Sequence, residues 1–129
     1  MSVINTANLY DSIKRKFSIG TNSLDRFKAD FLGAYNDVLM DLYNESLIDE
    51  PELLTDTTEN SEVELRYLPQ VKVGIRFFLQ TQGEWVKGDD IDRYAGLAWE
   101  RAKGIIANAL IKDTEKDGTY TGFWEETDS

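Results

Sequence analysis

From Leu24 to Leu42, apolar side chains return at steps of three and four: Leu24, Phe27, Phe31, Tyr35, Val38 and Leu42, with Ala34 and Leu39 widening the stripe. A strand sends alternate residues to opposite faces, so only a helix gathers this spacing onto one side. Asp25, Lys28, Asp30, Asn36, Asp37 and Asp41 fall on the other faces, and Asn22 or Ser23 supplies the N-terminal cap. Gly33 inside the helix costs about 1 kcal/mol against alanine. It marks a close backbone approach, from within the core or from a neighbouring subunit.

A helix with so broad an apolar stripe needs partners, and three other segments offer them. In "NTANLYDSIKRKFSIG", Leu9, Ile13 and Phe17 share a face, Thr6 is placed to cap and Gly20 to end the helix. Lys14, Arg15 and Lys16 sit in its last turns, where cations suit the helix dipole, and read as a solvated helix end in preference to a contact for an anion or an acidic partner.

"LPQVKVGIRFFLQTQGEW" alternates like a strand, yet it opens with Leu-Pro and runs on to Gly83. Proline suits the first turn of a helix and glycine its end. As a helix it carries one stripe of Leu68, Val71, Ile75, Phe78 and Leu79 and a second of Val73 and Phe77. A helix apolar on two faces is central in its own fold or covered by a partner. Val73, Phe77 and Gly33 are therefore the candidate subunit contacts.

"GDDIDRYAGLAWERAKGIIANALIKDTEKDG" is the fourth helix, capped by Asp89 or Asp90. Ile91, Tyr94, Ala95, Ala98, Trp99, Ala102, Ile105, Ile106, Ala109 and Leu110 line one side, and Glu100 and Lys103 decorate the other. The short link "EWVKGDD" makes the last two helices an antiparallel hairpin whose end Trp85 closes. Gly96, Ala98, Ala102, Gly104, Ala107 and Ala109 permit tight helix contact.

Two stretches do not read as core helix. Glu45 to Glu64 holds eight acids and no base, with Pro51 and "TDTTENS" marking a long connection. A small hairpin within residues 51–66, pairing "ELLT" with "VELRY", is one form it can take. The tail "DTEKDGTYTGFWEETDS" carries Tyr120, Phe123 and Trp124 among six acids. Three aromatics are costly to leave in water, so they fold back on the domain or dock on another chain. The expected organisation is all-α: a bundle of about four helices over residues 1–112 and an extended docking tail over 113–129.

Composition narrows the function. The chain of 129 residues has no cysteine and no histidine, and a formal net charge of −10. Disulfides, thiolate sites and the commonest general base are excluded. The charge opposes specific duplex binding and anionic lipid. The start "MSVINTANLY" lacks signal-peptide blocks, and no apolar run approaches the roughly 20 residues that span a bilayer. The expectation is a soluble protein that remains where it is made.

Candidate chemistry is sparse. Asp113, Glu115, Asp117 and Gly118 imitate the start of a calcium loop, but Trp124 stands where its bidentate glutamate belongs and Glu125 comes one place late. An acidic helix end followed by a turn is the preferred reading there. Glu45, Asp49, Glu50 and Glu52 cluster without apolar surroundings to raise a pKa. No phosphate-binding loop or nucleophile elbow occurs. The chain reads as a non-enzyme with no cofactor and no metal.

Taken in order, the capped N-terminal helix, "LDRFKADFLGAYNDVLMDLYNE", the acidic connection, "RYLPQVKVGIRFFLQTQGEW" and "DIDRYAGLAWERAKGIIANAL" resemble the head-to-tail adaptor (connector) proteins of tailed bacteriophages. The "LP" entry to the third helix, the aromatic "GEW" and the "Y…WE.A" start of the fourth helix carry the likeness, over residues 6 to 112. The resemblance implies a structural virion protein of the neck, made in the host cytoplasm. Family members form a ring, usually a dodecamer, that joins the portal protein to the next tail component and extends the DNA channel without specific DNA binding. It also implies that Asp117 to Ser129 dock on the portal, with Tyr120, Phe123 and Trp124 as anchors. An acidic wall suits a conduit, because repelled DNA slides. The alternatives are a soluble acidic helical interaction module, such as a phage-encoded inhibitor or DNA mimic, and a calcium-binding helical protein.

Overall fold

A computed structural model of the chain describes residues 2–17, 20–81, 85 and 94–116. Among them are four helices and no strand: α1 (Thr6–Phe17), α2 (Leu24–Asn44), α3 (Leu68–Thr81) and α4 (Ala95–Lys116). Single 3-10 turns at Thr21–Ser23 and Leu65–Tyr67 lead into α2 and α3. The fold is the expected all-α bundle.

The α2 stripe is the floor of the core. Phe27, Phe31, Ala34, Tyr35, Val38, Leu39 and Leu42 are all buried. Onto it α3 lays Val71, Ile75 and Leu79, so "LPQVKVGIRFFLQT" is helical and its three- and four-residue period governs burial. The third contribution comes from α4, through Ala95, Trp99, Ala102 and Ile106.

Side-chain pairs fix the directions. Rising along α3, contacts fall along α4: Arg66 bonds Asp113, Gly74 faces Trp99, and Phe77 faces Gly96. The last two helices are therefore antiparallel. The other end of α3 leads to Trp85, whose ring packs edge-on to Phe27 at 4.9 Å while its indole N–H donates to Asp30 Oδ2 at 2.5 Å. Trp85 closes the end of the pair onto α2. Near the other side, Tyr10 of α1 packs against Phe27 and Phe31 at 5.9 and 5.2 Å between ring centres.

Several local expectations are corrected. Asn5, not Thr6, caps α1: its Oδ1 accepts the Asn8 N–H at 3.0 Å, and Thr6 is the first helical residue and fully buried. Gly20 is extended, at φ −72° and ψ 155°, and opens the turn into α2 instead of ending α1 in the left-handed region. Neither Asn22 nor Ser23 makes the expected side-chain cap: Asn22 lies within the 3-10 turn, and Ser23 at the cap position makes no such bond. The Asp89 and Asp90 caps and Ile91 lie outside the described residues. α4 continues past residue 112 to Lys116.

The hairpin within 51–66 does not form, because both of its halves bond elsewhere. Leu54 is taken by Asn36 of α2, whose amide donates to the Leu54 carbonyl at 2.9 Å and accepts its N–H at 2.8 Å. Residues 61–65 pair instead with the N-terminal segment: Ile4 N–H donates to the Val63 carbonyl at 3.0 Å and Leu65 N–H to the Ser2 carbonyl at 2.9 Å, around an isolated antiparallel bridge of Val3 with Glu64.

Between these anchors the Glu59 carboxylate collects the Thr55 N–H, the Thr55 hydroxyl and the Asp56 N–H, and Lys28 holds Asp56 at 2.8 Å. Bonds from the Thr55 hydroxyl, and then its N–H, hold the Glu59 carboxyl below its usual range. A depressed carboxylate stabilises above its unfolded pKa and loses that contribution as pH falls, so this turn loosens in acid. Replacing Asn36 by alanine strands the Leu54 backbone groups. It is expected to cost about 1–2 kcal/mol and to speed amide exchange across residues 52–60 while exchange at α3 changes only with global stability.

Candidate functional site

Residues that the sequence placed in the core or on the surface prove to be exchanged on α4. Tyr94 is 73% exposed, and Leu97, Ile105 and Ile111 are 50%, 54% and 52% exposed. The sequence pattern puts Tyr94 and Ile105 inside. The reason for the difference is rotation: Ala95, Trp99, Ala102 and Ile106 share the inner face, and Leu97, Arg101, Gly104, Ile105, Asn108 and Ile111 share the outer one. A Cβ added at Gly104 would meet nothing within 4 Å. The outer face is thus apolar at its flanks, with a glycine that lets another backbone come close. Leu97 and Ile111 carried no expectation from the sequence. The signal that could have placed Leu97 outside is its spacing from a charge: Arg101 comes four residues later, one turn along the same face.

Lys103 moves the opposite way. Expected on the outer side, it is only 6% exposed. Its ammonium bonds Glu45 Oε2 at 2.5 Å, Glu100 Oε1 at 2.9 Å and Asp41 Oδ2 at 3.0 Å. The same Asp41 oxygen accepts the Trp99 indole N–H at 2.6 Å. Burial by itself lowers the Lys103 pKa, but the bonds to Glu45, Glu100 and Asp41 outweigh it and hold the ammonium well above its ordinary value. Such a lysine is a clamp between α2 and α4, not a nucleophile or base.

The end of α2 positions one of these carboxylates. Ser46 has φ 61°, in the left-handed region, with its N–H on the Tyr43 carbonyl and the Leu47 N–H on the Leu42 carbonyl, both at 2.9 Å. This paired closure ends the helix without the usual glycine and leaves Glu45 at the cap, facing Lys103.

The expected subunit contacts are partly used within the chain. Val73 and Phe77 are half-buried and pack against the core. A Cβ at Gly96 would lie 3.3 Å from the Phe77 ring, so α4 covers part of the second apolar face of α3. Gly33 is half-buried on α2. The structure does not bring Gly33, Val73 and Phe77 together into one described contact. Tyr120, Phe123 and Trp124, with Asp117 and Gly118 of the calcium-like run, lie outside the described residues. Asp113 of that run is helical and bonded to Arg66.

Two depressions flank the chain segment 61–65. One, of about 130 Å³, has Leu39, Ile48 and Val63 for its apolar lining and Asp49, Glu52 and Glu62 around it. The other, of about 190 Å³, runs between α1 and α3. No group of His, Cys, Asp or Glu among the described residues is placed to hold a metal ion, and no described helix is long and apolar enough to cross a membrane. Compared with known proteins, the chain matches no family model, no curated sequence and no solved structure.

Proposed function

We propose that this protein is a structural component of a tailed-phage neck: an adaptor that forms a ring on the portal protein and joins it to the next tail component. It works by binding, without catalysis. The observation that carries the reading is the outer face of α4, where Leu97, Ile105 and Ile111 remain half exposed or more around Gly104. Exposed apolar groups gathered on one helix face mark an interaction surface. Ring closure is a repeated side-to-side contact, and this face, with the remaining surface of Val73 and Phe77, supplies one side of it. Tyr120, Phe123 and Trp124 are the anchors for the portal, and the net charge of −10 keeps passing DNA unbound.

On this reading a portal protein is encoded beside this chain, and the test is the mass of the complex the two form. A multi-copy ring is expected, and Leu97→Glu with Ile105→Glu should leave the helical content intact while reducing the bound copies at least tenfold. Single copies on the portal, or no binding, would refute the adaptor reading. A second reading, an acidic interaction module, draws on the apolar depression ringed by Asp49, Glu52 and Glu62. It predicts that the protein is missing from purified virions.

A further inference from the structure

The groove between α1 and α3 is the larger of the two depressions, about 190 Å³, with Ile4, Leu9, Leu65 and Leu68 giving it an apolar lining and Lys72 at its edge. An apolar cavity of roughly 150 Å³ accepts a benzene ring, so the groove has room for an aromatic side chain. Leu65 is 45% exposed there, a large apolar group that the described residues leave half open.

A cluster of cations adjoins the groove. Lys16 of α1 lies in the field of Arg76 and Lys72 of α3. The Arg76 guanidinium, then burial, then Lys72 hold its ammonium below the usual range. Lys72 lines the groove itself and Arg76, exposed, follows it by one helical turn on α3, so an anion docked there meets both charges.

The last turns of α4 end near the same place. Arg66, next to Leu65, bonds Asp113, and the described part of the helix runs three residues further, to Lys116. The remaining thirteen residues, "DGTYTGFWEETDS", carry Tyr120, Phe123 and Trp124, four acids and no base. Their composition complements the groove in both respects, apolar rings for the lining and carboxylates for the cations. At about 3.3 Å per residue their reach is on the order of 40 Å, more than the roughly 30 Å diameter of a small domain.

We propose that residues 117–129 dock in cis on the α1–α3 groove in the free protein, with an aromatic side chain on Leu65 and Leu68 and carboxylates against Lys16, Lys72 and Arg76. Tethering gives the segment an effective concentration of order millimolar, so a contact too weak to bind between molecules is filled within one. Any partner that takes the tail must first displace it. The inference rests on the proposed role of the tail as a docking segment and deepens it, but the contact itself requires only the isolated chain.

The chain has no cysteine, so Thr127→Cys accepts a single nitroxide. In the NMR spectrum of the full chain, loss of the Asn8, Leu65, Leu68 and Lys72 amide signals is expected. It should be reversed by reducing the label and diminished at least twofold by Phe123→Ala with Trp124→Ala, or by Lys72→Glu with Arg76→Glu. Unchanged signals at the groove, or uniform broadening over the whole chain, would overturn the proposal. So would broadening that appears equally when the label sits on a separate, isotopically unlabelled copy. Portal binding is measured separately, so an adaptor with no cis contact, and a cis contact in a protein that never meets a portal, give different pairs of results.

Discussion

Trp99→Ala is expected to destabilise the fold by about 3–5 kcal/mol, the range for removing a buried large aromatic. The ring is 1% exposed, its N–H is held by Asp41, and Phe78 packs on it at 6.4 Å between centres. Gly74→Leu should also destabilise, for the opposite reason. A Cβ at Gly74 would sit 2.7 Å from Trp99 Cζ3 and 2.8 Å from Val38 Cγ2, and neither the buried ring nor the buried valine is free to retreat. Overpacking of this kind costs about 1–3 kcal/mol, more than the ~1 kcal/mol that leaving glycine behind gains in a helix. The two defects are complementary, since one creates the space that the other lacks. The double variant should therefore lose less than the sum of the two single losses in chemical denaturation. Simple additivity would mean that Gly74 is not the seat of the indole. Gly104→Ala, on the open face of α4, should instead stabilise by up to about 1 kcal/mol.

That pair of glycines marks how far the sequence can be read. The α2 stripe from Phe27 to Leu42 needs only its own period, because a wide apolar band on one helix has one way to face inward. α3 is legible for the same reason once Pro69 has removed the strand. α4 is legible as a helix but not in its rotation. Its apolar and small residues extend almost around the axis, and Tyr94 and Ile105 lie near enough to the inner band to look like part of it. The rotation is set by Trp99 entering the space over Gly74, a contact between residues far apart in the chain. The pattern of the 45–64 connection misleads because its partners lie outside it: Ser2 to Ile4, far away in the chain, take residues 61–65, and Asn36 of α2 takes Leu54. The candidate surface suffers most. Val73 and Phe77 read as excess apolar surface on α3, yet α4 covers part of that excess and carries the more exposed groups itself.

Lys103→Met keeps the length and the apolar stem but removes the charge, and is expected to cost about 2 kcal/mol at neutral pH. Removing one partner from a buried ion pair costs about 3–5 kcal/mol. The figure is lower here because Asp41, Glu45 and Glu100 are 29%, 43% and 64% exposed and water screens them. The pH dependence separates this electrostatic cost from lost packing. Lys103 has a raised pKa in the folded state, so its contribution is complete below the ordinary lysine value of about 10.4 and declines as pH rises past that value towards the folded one. The stability gap between the parent and Lys103→Met should thus be flat from neutral pH to about 9.5 and narrow beyond roughly 10.5. A gap that stays constant to the alkaline limit would assign the loss to packing against Trp99. No gap at all would mean that the three carboxylates reach water without their lysine, and that the clamp between the end of α2 and the middle of α4 contributes nothing to holding the outer face of α4 in place.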